Sequence, residues 1–459
     1  MNEKIHIYHT NDLHSHFENW PLIKEYLLNQ KALHKRQGEE VFLFDIGDFA
    51  DRWHPYTEGT MGKGNVELLN EVGYNAVTIG NNEGITLPHD GLDTLYADAE
   101  FDVIAANLYK PGHIRPEWSI PSKIYETKNG TKIGVTGVTT YYRKLYELLG
   151  WELAEPFTEL EIQLNRLKKE ADIIIVLSHL GIHDDEKIAS QFPFVDLILG
   201  GHTHHVLSSG MRTGTTMLAA AGRYGEYVGE IDLTYNTDTG RLTGIQAIAV
   251  ETATLSAIPG EREFVKGMKA RGEELLHVHI ADIPEQLNMS WKEESPLGKL
   301  MCEALHDWCH PDCTMINSGV LLSALPKGSV THYDIHRMLP HPINPCVIEL
   351  SGAELKEVLF HAADPEAGWP ELPVKGLGFR GKVMGSFLFH GVELDAESRE
   401  ACIKGSPILP GKSYRLGTID MFTFGPFFPE IRRAPVKEYF MPEFLRDILQ
   451  WKLKRQFGS

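Results

Sequence analysis

Positive charge is what this chain has too little of: 44 Lys and Arg stand against 63 Asp and Glu, a formal net charge of −19 over 459 residues. Such a surface repels nucleic-acid phosphates and anionic membranes, which argues against a general polyanion binder. Acidic groups gathered around a cation would be partly neutralised, and a small phosphorylated substrate is compatible with that balance. Long apolar runs are also missing. No stretch of about twenty apolar residues is present that could span a bilayer. The N-terminal Met1-Asn2-Glu3-Lys4-Ile5-His6-Ile7-Tyr8 enters a strand pattern at once, without the apolar core of a secretion signal. The expectation is a cytoplasmic protein with neither a nucleic-acid polymer nor a membrane among its partners. Cysteine is scarce: the five, Cys302, Cys309, Cys313, Cys346 and Cys402, are odd in number and confined to the second half, which does not form a secreted disulfide framework. Cys309 and Cys313, with His306 and His310 nearby, lack a zinc-knuckle spacing and a second pair, so they read as reduced structural thiols.

What is present is enough chain for two domains. Strand-like runs alternate with helical ones from Ile5 to about Glu251, including Val41 to Asp45, Ala76 to Ile79, Val103 to Ala106, Ile133 to Gly137, Ile173 to Ser178 and Leu197 to Leu199. That alternation predicts a layered α/β domain. The later runs Val228 to Tyr235 and Gly244 to Val250, with no helix between them, predict a mixed sheet. The boundaries expected are 1–257 for this domain, 258–282 for a charged connecting helix and 283–459 for a second, less regular domain.

The strand ends carry the chemistry. They read Thr10-Asn11-Asp12-Leu13-His14, Phe44-Asp45-Ile46-Gly47-Asp48, Gly80-Asn81-Asn82-Glu83, Ser178-His179-Leu180-Gly181 and Gly200-Gly201-His202-Thr203-His204-His205. In α/β sheets the carboxyl ends of strands are where ligands bind. In an extended backbone, side chains two apart share a side, so Asp12 with His14, and His202 with His204, would turn towards a common point. Mixed carboxylate and imidazole donors suit Mn, Zn or Fe better than Mg or Ca. His205 falls on the opposite alternation, and His16 and His183 are further candidates near substrate.

These five blocks, in this order, resemble the signature of the calcineurin-like metallophosphoesterases, and the two-domain length resembles the 5'-nucleotidase and UDP-sugar hydrolase branch. The resemblance implies a four-layer α/β metallophosphoesterase sandwich with mixed sheets, followed by a C-terminal α+β substrate domain of the 5'-nucleotidase type. It implies two divalent metal ions. Asp12, His14, Asp48 and His204 would hold one of them; Asp48, as the bridge, would hold the other with Asn81, His179 and His202. Two such metals about 3.5 to 4 Å apart can activate a bridging water and clamp an in-line phosphoryl displacement. The expected activity is hydrolysis of phosphate esters or phosphoanhydrides of nucleotides. A metal-retaining nucleotide sensor with weakened turnover is the alternative, and a thiosulfate-ester hydrolase is a third reading.

The pattern breaks where the family has a catalytic His: here the position is Asn82, with Ile85 three residues on. Asn82 can donate a hydrogen bond but cannot deliver a proton at neutral pH. A ribose alkoxide needs that proton and a phosphate leaving group needs little, so phosphoanhydrides are the expected preference. In the second half, Asn317-Ser318-Gly319 resembles the start of an Asn-x-Gly-x-x-Arg block whose Arg position is Leu322. His341, within Leu339 to Asn344, and the aromatics Phe422, Phe424, Phe427 and Phe428 are candidates for stacking on a base, Phe424 foremost. Arg380, between glycines at 378 and 381, is a candidate anion contact.

Overall fold

The structure is a computed structural model that describes residues 2–458. The chain divides after Gly272 into two compact units.

The first unit is built on two mixed six-stranded sheets. One runs in the order Arg241–Glu251, Tyr227–Asn236, Asn2–Thr10, Glu40–Asp45, Ala76–Val77 and Asp102–Val103, parallel from Asn2–Thr10 onwards and antiparallel on the other side. The other runs Met211–Thr213, Thr216–Ala219, Leu197–Gly200, Ile173–Ser178, Lys132–Val138 and Ser122–Glu126, its four inner strands parallel and both edge strands antiparallel. The inner strands are apolar on both faces because both faces are covered. Ile5, Ile7, Phe42 and Phe44 of the first sheet share one buried cluster with Ile133, Val135, Ile173, Ile175, Leu197 and Leu199 of the second. On the outer face of the second sheet, Leu160, Leu164 and Leu167 of the Pro156–Glu170 helix pack with Ile174, Val176 and Ile198. Helix Trp20–Gln37 lies against strand Glu40–Asp45 of the first sheet and buries Trp20, Ile23 and Leu27. The result is the expected four-layer sandwich.

Two differences from the sequence reading have physical causes. Strands Ala76–Val77 and Asp102–Val103 of the first sheet are only two residues long; past Ile104 the backbone bonds elsewhere, Ala105 N–H to the Ile120 carbonyl and Ala106 N–H to the Gly137 carbonyl of the second sheet. The edge strand Ser122–Glu126 alternates polar and apolar residues too weakly to be read as a strand, and its pairing with Lys132–Val138 supplies what its composition lacks.

The second unit is α+β. Its main sheet has the order Phe387–His390, Cys313–Asn317, Ser413–Ile419, Pro345–Ser351 and Lys437–Tyr439. Helices Pro296–Cys309, Gly352–Ala363 and Leu445–Phe457 join it in a single buried cluster. All five cysteines are free; Cys302, Cys309, Cys313 and Cys346 are buried, and burial pushes the thiols of Cys309 and Cys313 up to about 12. Among the described residues, no helix is long and apolar enough to cross a membrane.

The turn at Gly47 holds two strand exits together. Gly47 has φ of +87°, and a Cβ there would sit 2.3 Å from Gly80 N and 2.6 Å from Ile79 C. No L side chain satisfies both the dihedral and the backbone approach. Gly47→Ala is therefore expected to lower the free energy of unfolding by about 2 kcal/mol or more, measured as a drop in urea midpoint at unchanged slope.

Candidate metal centre

Parallel pairing brings the strand exits to one end of each sheet. Thr10 lies opposite Asp45, and Ser178 opposite Gly200, so the residues that follow leave their sheets side by side. Past those points the chain is not extended. Asp12, His14, Asp48, His202 and His204 all have φ between 50° and 70°, in the left-handed region that non-glycine residues seldom occupy. The alternation expected to aim His202 and His204 at one point is therefore replaced by left-handed turns, and these send the two rings to different groups.

Asp12, His14 and His204 form one group and Asp48, His179 and His202 the other; in each, the candidate ligand atoms lie within 4.8 Å of one another. His204 Nε2 is 3.4 Å from Asp12 Oδ1 and 3.2 Å from His14 Nε2. His14 Nε2 is also 3.7 Å from Asp48 Oδ2, which links the groups, and His179 Nε2 is 3.4 Å from that same oxygen. All six side chains except those of His202 and His204 are buried.

Hydrogen bonds orient these rings. His179 Nδ1–H donates to the Ile46 carbonyl at 2.6 Å, which makes Nε2 the nitrogen available to a cation; among the described residues that atom is buried without a hydrogen-bond partner. Asn81 Oδ1 is likewise buried and unpartnered, while its amide nitrogen donates to Asn82 Oδ1 at 3.3 Å. Buried acceptors are almost always satisfied, so two orphans at this spot fit a cation with oxygen and nitrogen ligands. Asp12 is held by Asn11 Nδ2 at 2.8 Å and by the His202 backbone N–H at 3.0 Å.

Electrostatics run the same way. Burial opposes the charged form of Asp48, yet the neighbouring His179 and His14 rings hold its carboxyl below the usual range. Burial would lower His179, but Asp48 and Asp12 raise it to about 10. Burial and the His179 charge bring His202 down to about 4. Without a cation, the Asp48 and Asp12 carboxylates favour a second proton on His179, and a cation bound at Nε2 would replace that proton beside Asp48.

Asn82 is buried, and its side-chain amide lies 2.7 Å from His14 Nδ1, with Asp51 Oδ2 at 3.3 Å from the same nitrogen. Its amide is thus engaged in orienting His14. Glu83, which the sequence reading passed over, accepts the N–H groups of Asp48, Gly80 and Ala50. Arg223, Tyr224, Trp53 and Tyr142 were also missed, since nothing local marks them. The Tyr142 hydroxyl is 3.3 Å from His202 Nε2, and the His16 ring lies 3.9 Å from that of Tyr224 and 4.8 Å from that of Trp53. His183 is exposed beside Glu186, and the exposed His205 pairs with Thr203.

In the second unit the named residues do different jobs. Asn317 is buried and its Nδ2 donates to the Met384 carbonyl at 2.8 Å. At Gly319 a Cβ would fall 2.0 Å from the Val383 carbonyl, so this glycine permits a close backbone approach. His341 is a correction: its ring is 1% exposed, donates to the Val320 carbonyl at 2.7 Å, accepts the Arg380 N–H at 2.8 Å and stacks on Phe379. No face of it is open to a base. Arg380 is half-buried on that same segment. Phe422 and Phe428 are core, whereas Phe424 is 47% exposed and stacks on Tyr439.

Comparison with known proteins follows the two units. Residues 5–206 match the calcineurin-like phosphoesterase family and residues 278–422 the 5'-nucleotidase C-terminal domain. An uncharacterized metallophosphoesterase of Bacillus subtilis, YunD, is 44% identical over 99% of this chain and 100% of its own. Protein UshA of Yersinia enterocolitica is 23% identical over 94% of this chain and 87% of its own. Among solved structures, the NAD nucleotidase of Haemophilus influenzae superposes with a TM-score of 0.68 at 16% identity, covering 99% of this chain and 97% of that one.

His341 gives a pH signature. Burial, with the Arg380 and Arg446 charges adding to it, holds the ring down to about 3. The unfolded chain takes up this proton near pH 6.5 and the folded chain does not, so the stability it contributes is present above pH 6.5 and is lost as pH falls towards 3. At up to about 1.4 kcal/mol per pH unit, His341→Gln should remove roughly 2 kcal/mol of the wild-type loss between pH 6.5 and 5, read from urea midpoints at the two pH values.

Proposed function

The chain belongs to the calcineurin-like metallophosphoesterase family, enzymes of phosphoester hydrolysis, and on that premise we propose that it hydrolyses phosphate esters or phosphoanhydrides of nucleotides at a two-metal centre. Asp12, His14 and His204 would hold one divalent ion and Asn81, His179 and His202 the other, with Asp48 between them. The observation that carries this reading is the pair of linked ligand groups with unpartnered His179 Nε2 and Asn81 Oδ1. Mn, Zn or Fe suits these donors. When bound, the metals supply an activated water and charge stabilisation for in-line displacement. The chain's own part is orientation: the Ile46 carbonyl sets the His179 tautomer, the Asp51 carboxylate sets that of His14 by accepting from Nδ1–H, and Asn11 fixes Asp12.

Asn82 points at His14 and has no proton to give. The substrates favoured are those whose leaving group departs as a phosphate, such as nucleoside-diphosphate sugars; within the second unit, the exposed Phe424 is the candidate for stacking on a base, and Asn317 and Gly319 shape the segment that carries Arg380.

Two measurements test the reading. Manganese-loaded protein should contain about two ions per chain; His179→Ala should lose about one of them and Asp48→Ala both, by elemental analysis after gel filtration. Under identical metal loading, kcat/KM for a UDP-sugar should exceed that for AMP by at least roughly tenfold, the scale of lost general-acid assistance. A clear preference for AMP would sink the leaving-group argument, and metal binding without turnover of any aryl phosphate would make the chain a sensor.

A further inference from the structure

Arg223 lies in the turn that leads into strand Tyr227–Asn236. That turn is tied to the Asp12 loop: the Gly222 carbonyl accepts from Asn11 Nδ2 at 2.7 Å, and the Tyr224 N–H donates to the Asp12 carbonyl at 2.8 Å. The guanidinium sits 4.6 Å from the centre of the Tyr224 ring, which lies in turn against His16 and near the edge of His14. Among the described residues Arg223 has no carboxylate partner, in a chain that carries a net charge of −19. Its one polar side-chain contact is to His204, with Nη1 at 3.5 Å from Nδ1.

That contact cannot outlast metal binding at the other ring nitrogen. His204 Nε2 is the atom facing Asp12 and His14. Once its lone pair is committed to a cation, the ring proton resides on Nδ1. Nδ1–H and the guanidinium are then two donors facing each other with no acceptor between them. An anionic oxygen satisfies both. Because Nδ1 lies on the side of the ring away from the ligand group, that oxygen does not belong to the phosphoryl group under attack but to a neighbour of it.

Building on the phosphohydrolase reading above, we propose that Arg223 and His204 Nδ1–H bind the non-reacting phosphate of a diphosphate-linked substrate. Stacking, rather than a carboxylate, holds the guanidinium in place, so its charge is left for the substrate and little ordering accompanies binding. Arg223 would then be the residue that separates diphosphate-linked substrates from monoesters.

The test is titration calorimetry on the manganese-loaded full chain with two probes, a methylene-bridged nucleoside diphosphate and the matching nucleoside monophosphate. Arg223→Met should weaken the diphosphate analogue by roughly tenfold or more, the scale of one charge-assisted hydrogen bond, and the monophosphate much less. Metal content and melting temperature should match wild type. Arg223→Lys should restore part of the loss, since it returns the charge but not the planar stack. Equal weakening of both probes, or loss of metal from Arg223→Met, overturns the assignment. Selective weakening in a protein that turns over no phosphate compound would uphold the subsite and overturn only the hydrolase reading; full wild-type turnover with no probe selectivity in Arg223→Met would do the reverse.

Discussion

A single buried carboxylate ties the first unit's strand exits together. Glu83 accepts the N–H groups of Asp48 and Gly80 with one oxygen, both at 2.9 Å, and that of Ala50 with the other at 2.8 Å. Burial, with the charge of Asp48 beside it, pushes this carboxyl up to about 7; the backbone donors pull the other way and are what make a carboxylate tolerable there. The same knot reaches the other exits. Asp12 N–H donates to the Gly47 carbonyl at 3.0 Å, His14 N–H to that of Asp48 at 2.8 Å, and His179 Nδ1–H to that of Ile46. Candidate ligands from four strand ends therefore hang from one stretch of backbone, 46–48, and a shift there moves all of them together. Left-handed non-glycine residues cost of order 1–3 kcal/mol each. Asp12, His14 and Asp48 keep that conformation because these hydrogen bonds over-determine it.

Most of the first unit's architecture was legible because its parallel strands are buried on both faces and so read as unbroken apolar runs; Ile173–Ser178 is found at the residues expected. The residue types of the centre were legible too, since each follows such a run. Their directions were not. Period-two reasoning holds only inside a strand, and the strands stop at Thr10 and Gly200. What Asn82 touches was equally hidden, because its partner, His14, is 68 positions away and is brought close only by the pairing of the first sheet.

In the second unit, Asn317, Gly319 and His341 were singled out by resemblance to family blocks, but residues at such positions serve packing as readily as binding. Asn317 and Gly319 clasp the 383–384 backbone, and His341 bonds Val320 and Arg380 across 21 and 39 positions. Together they fix the path of the segment that carries Arg380. Nothing in local composition separates a side chain that seats a loop from one that seats a ligand. Exposure does, and of the four phenylalanines considered it favours Phe424 over the buried Phe422 and Phe428.

Ligand chemistry alone would also have pointed elsewhere. His6, His34 and Glu39 lie within 4.8 Å of one another and match the donor types of the centre described above. Every ring nitrogen there already has an oxygen partner: His6 with Asp232 at 2.6 Å and Glu39 at 3.0 Å, His34 with Glu39 and the Tyr8 hydroxyl, both at 3.0 Å. The two rings stack at 3.6 Å with 20° between their planes. A metal bound at ordinary Zn–N length, about 2.0–2.1 Å, must lie near the plane of each imidazole, and no point satisfies that for two rings stacked face to face. Burial opposes a charge on His6, but Asp232 and Glu39 outweigh it and raise the ring above its usual range, as a hydrogen-bonded imidazolium requires. The contrast with His179 is one of unspent lone pairs: a buried nitrogen with its tautomer fixed and nothing to accept from marks a place for a cation, whereas the same residues with every donor and acceptor matched are a proton-sharing brace between the first strand, its antiparallel neighbour and the Trp20–Gln37 helix.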